Sequence, residues 1–193
     1  MWKNTQEGYG RVARLLHWGM AILLLGLLAL GFYITTLTYY HPWYRIAPDW
    51  HRTLGILAFL LVLFRLGWRL YSPPPPLEDP LSLWEKRIAH NVHRLLYVLM
   101  MAMPVTGYLL STADGQAIRM FSGRLTVPAL FPPFKGWESW LGKVHLLLAI
   151  ALLILVLLHA AAALQHHFLR RDRTLIRMLA PHAANLPSAN GEK

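Results

Sequence analysis

A chain of 193 residues with 55% hydrophobic and only 15% charged residues belongs to the integral membrane class, because too few polar side chains remain to cover a water-facing surface. Its formal charge of +10 sits at the ends of apolar runs, where it reads as topology signal and lipid-headgroup contact, with no nucleic acid as partner. The absence of cysteine excludes disulfides, thiolate-held iron–sulfur clusters and the C-x-x-C-H attachment of a c-type haem.

In chain order, residues 1–14 are polar and basic and lead into a first span over 15–36, with His17 in its first turn. The apolar run follows Lys3, Arg11 and Arg14 and is too long for the core of a secretory leader, so no cleavable signal peptide is expected. Residues 37–49 carry Pro42 and Pro48 among Tyr39, Tyr40, Trp43 and Tyr44, the composition of an interfacial loop with belt aromatics. A second span covers 50–71 and opens with His51, on the side opposite His17. The tract 72–80, SPPPPLEDP, cannot continue a helix, because successive prolines remove donors and clash with the preceding turn; it predicts a stiff extended link.

The third span covers 88–111, with His90 and His93 near its start and Pro104 and Gly107 further along. Residues 112–142 form the longest loop, rich in Gly and Pro with Trp137 and Trp140, and are expected to lie as a short lid over the bundle. The fourth span covers 143–167, and a basic tail, 168–193, is expected to fray at its polar end. The fold expected is therefore all-α: one membrane domain, a four-helix bundle with both termini on one side. Lys and Arg concentrate on that side, with Lys3, Arg11, Arg14, Arg65, Arg69, Lys86, Arg87, Arg94, Arg170, Arg171, Arg173, Arg177 and Lys193, thirteen in all, against Arg45, Arg52, Arg119, Arg124, Lys135 and Lys143 on the other. By the positive-inside rule, both termini are expected to be cytoplasmic.

The histidines within the apolar runs are the functional candidates, since a polar ring in hydrocarbon costs free energy unless something satisfies it. On the fourth span, fourteen residues at ~100° each fall about 40° short of four turns, so His145 and His159 share one face ~21 Å apart along the axis. One face thus offers an imidazole near each side of the membrane. At the outer level the intramembrane histidines are His51 and His145, which must pair if a cofactor sits there. The inner level is ambiguous, with His17, His90, His93, His159 and His166. His17 lies inside an apolar run whereas His90 and His93 border a charged segment, which favours His17 with His159.

Zinc or copper sites usually want three or four side-chain ligands. Two histidines on facing helices instead suit a six-coordinate haem iron, whose other four bonds come from the porphyrin. Two haem b groups are therefore expected, with room supplied by Gly26, Gly31, Gly55 and the alanines from Ala160 to Ala163. Arg52, Arg65 and Lys143 are the candidate partners of the haem propionates. His90 and His93, three residues apart, could form a hydrogen-bonded structural pair, while His41 and His182 are expected to be solvated.

The motifs LLHW, WHRTLG, AHNVHRLLY, KVH, LHAAAALQHHF and RDRTLIRML together resemble the bacterial cytochrome b561 family, most nearly its superoxide oxidase type, over residues 11–179. The resemblance implies a di-haem b cytochrome of the bacterial inner membrane with haem ligands on spans one, two and four, here His17, His51, His145 and His159. It also implies electron transfer from superoxide on the periplasmic side to ubiquinone. For the quinone, His166, Arg14 and Arg170 are the candidate contacts. The loop 112–142 does not match that type in detail, so a cytochrome subunit linking the quinone pool to a soluble or periplasmic redox partner protein is the second expectation. A haem-free transporter using the histidines as metal or proton sites is the third.

Overall fold

The computed structural model describes residues 1–77, 81–133 and 136–179, the side chain of Ser122 excepted. The end of the proline tract, Lys135 in the long loop, and the tail from 180 onward with His182 lie outside the described residues. Four helices, α1 (Arg11–Thr36), α2 (Ile46–Tyr71), α3 (Leu83–Ser111) and α4 (Glu138–Gln165), pack in sequence, each against the next. Their most apolar 18-residue windows have mean hydropathies of 2.1, 1.7, 1.4 and 2.8, and all four helices are long enough to cross a membrane. Even the shorter ones, at 26 residues, reach about 39 Å at 1.5 Å per residue, against about 30 Å of hydrocarbon.

The helices extend beyond their apolar runs for local reasons. Helix α2 starts at Ile46 and tolerates Pro48 because a proline in the first turn lacks only an N–H that has no helical partner anyway. Helix α3 starts at Leu83 because Ser82 and Glu85 form a reciprocal cap: the Ser82 hydroxyl accepts from Glu85 N–H at 3.3 Å, and Glu85 accepts from Ser82 N–H at 2.9 Å. Deeper in α3, Pro104 interrupts the hydrogen-bond ladder. Two residues on, the Thr106 hydroxyl lies 3.0 Å from the carbonyls of both Ala102 and Met103.

The loop after α3 is more ordered than its composition suggests. Strands β1 (Ile118–Met120) and β2 (Leu125–Val127) pair antiparallel, Ile118 opposite Val127, around a tight turn with Phe121 at φ 50°. Strand β1 packs on α2 and buries Ile118 and Met120. The Tyr108 hydroxyl holds the next segment, donating to Pro128 C=O at 2.8 Å and accepting from Leu130 N–H at 2.7 Å.

At the opposite end of the bundle, the N-terminal residues meet the residues that follow α4 up to Leu179. Asn4 donates to the carbonyls of Ser72 and Pro73 at the close of α2. After α4, a π-helical segment (His166–Arg170) leads to a short helix, α5 (Ile176–Leu179). That helix is tied to α1: Arg14 donates to Leu179 C=O at 3.1 Å and the Trp18 indole to Met178 C=O at 3.0 Å. Residues 168–179 are thus docked, and only beyond them does the expectation of fraying go undescribed. We call this the terminal end, and the hairpin side the loop end.

Between the two ends, Met20, Val62, Leu96, Leu99, Met100 and Leu152 form the buried core. Ile22, Leu60, Phe64, Val98 and Leu158 are exposed on the outside. A large apolar exterior around a modest core is what lipid as solvent permits, since helices there associate by close packing and not by hiding apolar surface from water.

Candidate functional site

At the loop end, α2 presents His51 and α4 presents His145, with ring centroids 6.2 Å apart. Two imidazoles on opposite sides of one metal ion are separated by twice the sum of a metal–nitrogen bond of about 2.0–2.1 Å and a ring radius of about 1.1 Å, or roughly 6.3 Å. The pair borders a cavity of 560 Å³ that also touches Arg52, Gly31, Gly55, Gly107 and Ile118, within the usual size range of small-molecule and cofactor sites. Helix approach is the reason for two of these glycines. A Cβ on Gly31 would sit 3.1 Å from His51 Cε1, and one on Gly107 would sit 3.1 Å from His145 Cε1. Gly26, by contrast, faces open space.

The His145 ring is oriented by α3. Its Nδ1 lies 2.9 Å from Thr106 Oγ1. The Thr106 hydroxyl has one hydrogen, and the carbonyls of Ala102 and Met103 compete for it, so its oxygen is left to accept from Nδ1–H. That places the His145 proton on Nδ1 and the lone pair on Nε2, the tautomer a metal-binding imidazole requires. Among the described residues, His51 Nδ1 is buried without a hydrogen-bond partner.

At the terminal end, His17 of α1 and His159 of α4 also lie 6.2 Å apart. A third ring intrudes: His93 of α3 is 5.4 Å from His159. Arg65 ties this level together, donating to Tyr97 OH at 3.1 Å and to Leu16 C=O at 3.2 Å, with its Nη2 3.3 Å from His17 Nδ1. An arginine can only donate, so this contact leaves the lone pair on Nδ1 and the proton on Nε2. A neutral His17 can offer Nε2 to a metal only when Arg65 releases Nδ1, and Arg65 is then free for an anionic group.

The remaining candidates fall in separate places. Arg52 borders the loop-end cavity and pairs with Asp49 at 3.7 Å. Lys143 is exposed and outside the cavity lining. Of the three residues expected around a quinone, Arg14 is engaged with Leu179 C=O, Arg170 with the Glu85 carboxylate, and His166 with Asp172. His90 and His93 do not form the hydrogen-bonded pair envisaged from their spacing: His90 Nδ1 lies 2.6 Å from Lys86 C=O, while His93 turns to His159. His41 is partly buried, accepting from Trp43 N–H at 3.1 Å and stacking edgewise on Tyr33. The sequence reading passed over Thr106 and Asp172 and gave Gly107 no role; the PVTG stretch after Pro104 is the signal that could have pointed to the first and third.

Among the described residues no three His, Asp or Glu side chains converge as a self-sufficient metal site. The donor set is two facing imidazoles at the loop end, with small residues around them, and three imidazoles at the terminal end; a facing pair fits a metal carried in a planar macrocycle. Four helices long and apolar enough to cross a membrane, with facing histidines at two depths, define a class, the histidine-bearing membrane bundles.

The comparisons narrow that class. Residues 8–181 match the family described as prokaryotic cytochrome b561. Cytochrome b561 homolog 2 of Escherichia coli (strain K12) is 38% identical over 182 residues, covering 94% of this chain and 96% of the relative. A probable superoxide oxidase, CybB, of Yersinia pestis is 31% identical over 140 residues, 72% of this chain and 77% of that one. Cytochrome b562 of Cereibacter sphaeroides is 30% identical over 185 residues, 92% and 99% of the two chains. The chain belongs to the prokaryotic cytochrome b561 family: it is a membrane electron-transfer protein, and membership implies a b-type haem.

Proposed function

We propose that the chain is a di-haem b cytochrome of the bacterial inner membrane that takes electrons from superoxide at a periplasmic loop end and delivers them to ubiquinone at a cytoplasmic terminal end. The observation that carries this is the repetition of one geometry at two depths: His51 with His145 and His17 with His159, both at 6.2 Å. When bound, the haems supply one-electron chemistry, which neither aliphatic helices nor imidazoles possess. Everything else falls to the chain's own residues. Thr106 fixes the tautomer of His145, Gly31 and Gly107 let the helices close on the ligands, and Arg52 and Arg65 are the cations within reach of propionates. Lys143, exposed at the same level as Arg52, is the weaker third candidate.

The stoichiometry is two superoxide ions oxidised to two molecules of oxygen, and one quinone reduced to quinol with two protons. At the loop end Arg45, Arg52, Arg119, Arg124 and Lys143 outnumber Asp49, Asp114 and Glu138, an excess that attracts a small anion and raises its on-rate at low salt. The probable superoxide oxidase among the relatives supports this donor. The excess of Lys and Arg at the terminal end supports a cytoplasmic placing of both termini.

Stopped-flow mixing of the purified, oxidised protein with superoxide tests the proposal, with and without a short-chain ubiquinone. Rapid reduction of the haem bands followed by quinone-dependent reoxidation is the expected result. Slow reduction, with haems that dithionite still reduces, would instead assign the donor side to a redox protein or quinol. A purified protein without a Soret band would remove both redox functions and leave a histidine-using transporter.

A further inference from the structure

The end of the fourth span departs from α-helical geometry, and the departure brings two titratable side chains together. His166–Arg170 continue α4 as a π-turn, and Arg171 then takes φ 55°, ψ 32° in the left-handed region. That region is unfavourable for a residue with a Cβ, and both it and the π-turn concentrate at functional sites. The His166 carbonyl accepts from the N–H groups of both Arg171 and Asp172. In an uninterrupted α-helix, residues six apart lie about 9 Å apart along the axis and about 240° around it. The turn folds the chain back, so that Asp172 Oδ2 meets His166 Nδ1 at 2.5 Å.

Asp172 is itself held in place, its Oδ1 accepting from Thr174 N–H at 2.9 Å. The two side chains are 20% and 18% exposed, shielded but not sealed from water. Among the described residues the other ring nitrogen, Nε2, has no protein partner. Of the three side chains considered for the quinone, only His166 has a ring nitrogen that can both accept and donate a proton, whereas a guanidinium only donates. It lies seven residues beyond His159, about 10 Å further along the axis.

We propose that Asp172 is a positioning residue for quinone protonation: it keeps the His166 proton on Nδ1, so that Nε2 is the nitrogen that passes protons from water at the terminal end to a quinone carbonyl oxygen. This rests on the quinone reduction proposed above. Each quinone takes two electrons, supplied one at a time by two superoxide ions that leave as oxygen, and two protons from the terminal-end water. For each proton, the Nε2–H bond of the imidazolium breaks as an O–H bond forms on the quinone, and water returns a proton to Nε2. Asp172 stays ionised throughout. Burial pushes its pKa up, but the Thr174 N–H and hydroxyl and the His166 ring outweigh burial and hold it below the ordinary aspartate range.

The test uses the full-length, haem-loaded protein in lipid nanodiscs, with Asp172→Asn and Asp172→Glu beside the native chain. Haems reduced beforehand are mixed with a short-chain ubiquinone, and the His166 tautomer is read by NMR of ¹⁵N-histidine-labelled protein. The expected result is a kcat for quinone-dependent reoxidation about 100-fold lower in D172N, with KM changed less than about twofold. Haem content and the rate of haem reduction by superoxide stay native, D172E recovers most of the rate, and the His166 proton moves from Nδ1 to Nε2 in D172N. An unchanged kcat in D172N, or a rise in KM alone with the native tautomer kept, overturns the proposal while the quinone function stands. Should D172N lose its haem, D172E and its tautomer decide: a native rate with the proton off Nδ1 overturns the proposal. A native protein whose haems quinone cannot reoxidise sinks this inference together with the function beneath it.

Discussion

The two ends of the bundle solve one problem with different redundancy. At the loop end two histidines face each other across a cavity, and the helices around them contribute glycine and a threonine hydroxyl. At the terminal end three rings crowd together, His93 lying nearer to His159 than His17 does, and an arginine already holds His17. A facing pair therefore stands alone at the first site, while at the second His159 has two neighbours to choose between. The difference shows what sequence depth can resolve: how many candidates a level holds, and not which of them a helix turns inward.

The sharpest way to break this contrast is to delete ligands. His51→Ala or His145→Ala is expected to halve the haem-to-protein ratio by removing the loop-end haem completely, as measured by pyridine haemochrome assay. Loss of the other haem, or of neither, would dissolve the pairing. The terminal end then asks for two variants side by side. His17→Ala is expected to lose its haem while His93→Ala keeps both, and the reverse outcome would make His93 the partner of His159.

A smaller effect probes the orientation of one ring. Thr106→Val keeps the shape but removes the acceptor at His145 Nδ1, and haem affinity at the loop end is expected to fall by about 10–100-fold, with the terminal-end haem unmoved in the same titration. The smallest effect concerns the turn after α4. The Asp172 pKa is lowered from its ordinary value of 3.8 in the folded chain. A depressed carboxylate pKa stabilises the fold above the unfolded value and loses that contribution as pH falls through the folded one. Protection of the Thr174 amide from hydrogen exchange is thus expected to persist at neutral pH and to decline only below pH 3.8; a decline already at pH 5 would contradict the cause assigned to the shift.

Much of this arrangement is legible in the residues. The four spans follow from apolar run length, and the shared face of His145 and His159 from fourteen steps of helical rotation. The loop-end pair follows because His51 and His145 are the intramembrane histidines at that depth. What escapes has a physical reason in each case. The rotation of α3, which brings His93 to His159 and leaves His90 on Lys86 C=O, is set by packing against α2 and α4, and a period of 3.6 says nothing about it. A Cβ on Gly31 or Gly107 would crowd a histidine ring while one on Gly26 would meet open space, a difference set by how closely the helices approach and not by sequence spacing. The hairpin between residues 118 and 127 is too short to show alternation, and the reversal at Arg171 places a non-glycine residue where pattern reading expects glycine.

The fourth helix carries one histidine of each facing pair, and it leaves the ribosome after the three helices it packs among. Neither pair exists until α4 has entered the membrane, however long its partners on α1 and α2 have waited there. A cofactor held between either pair would therefore have to wait for α4, and a nascent chain stopped after α3 lacks both pairs. A single helix thus completes both facing pairs at once.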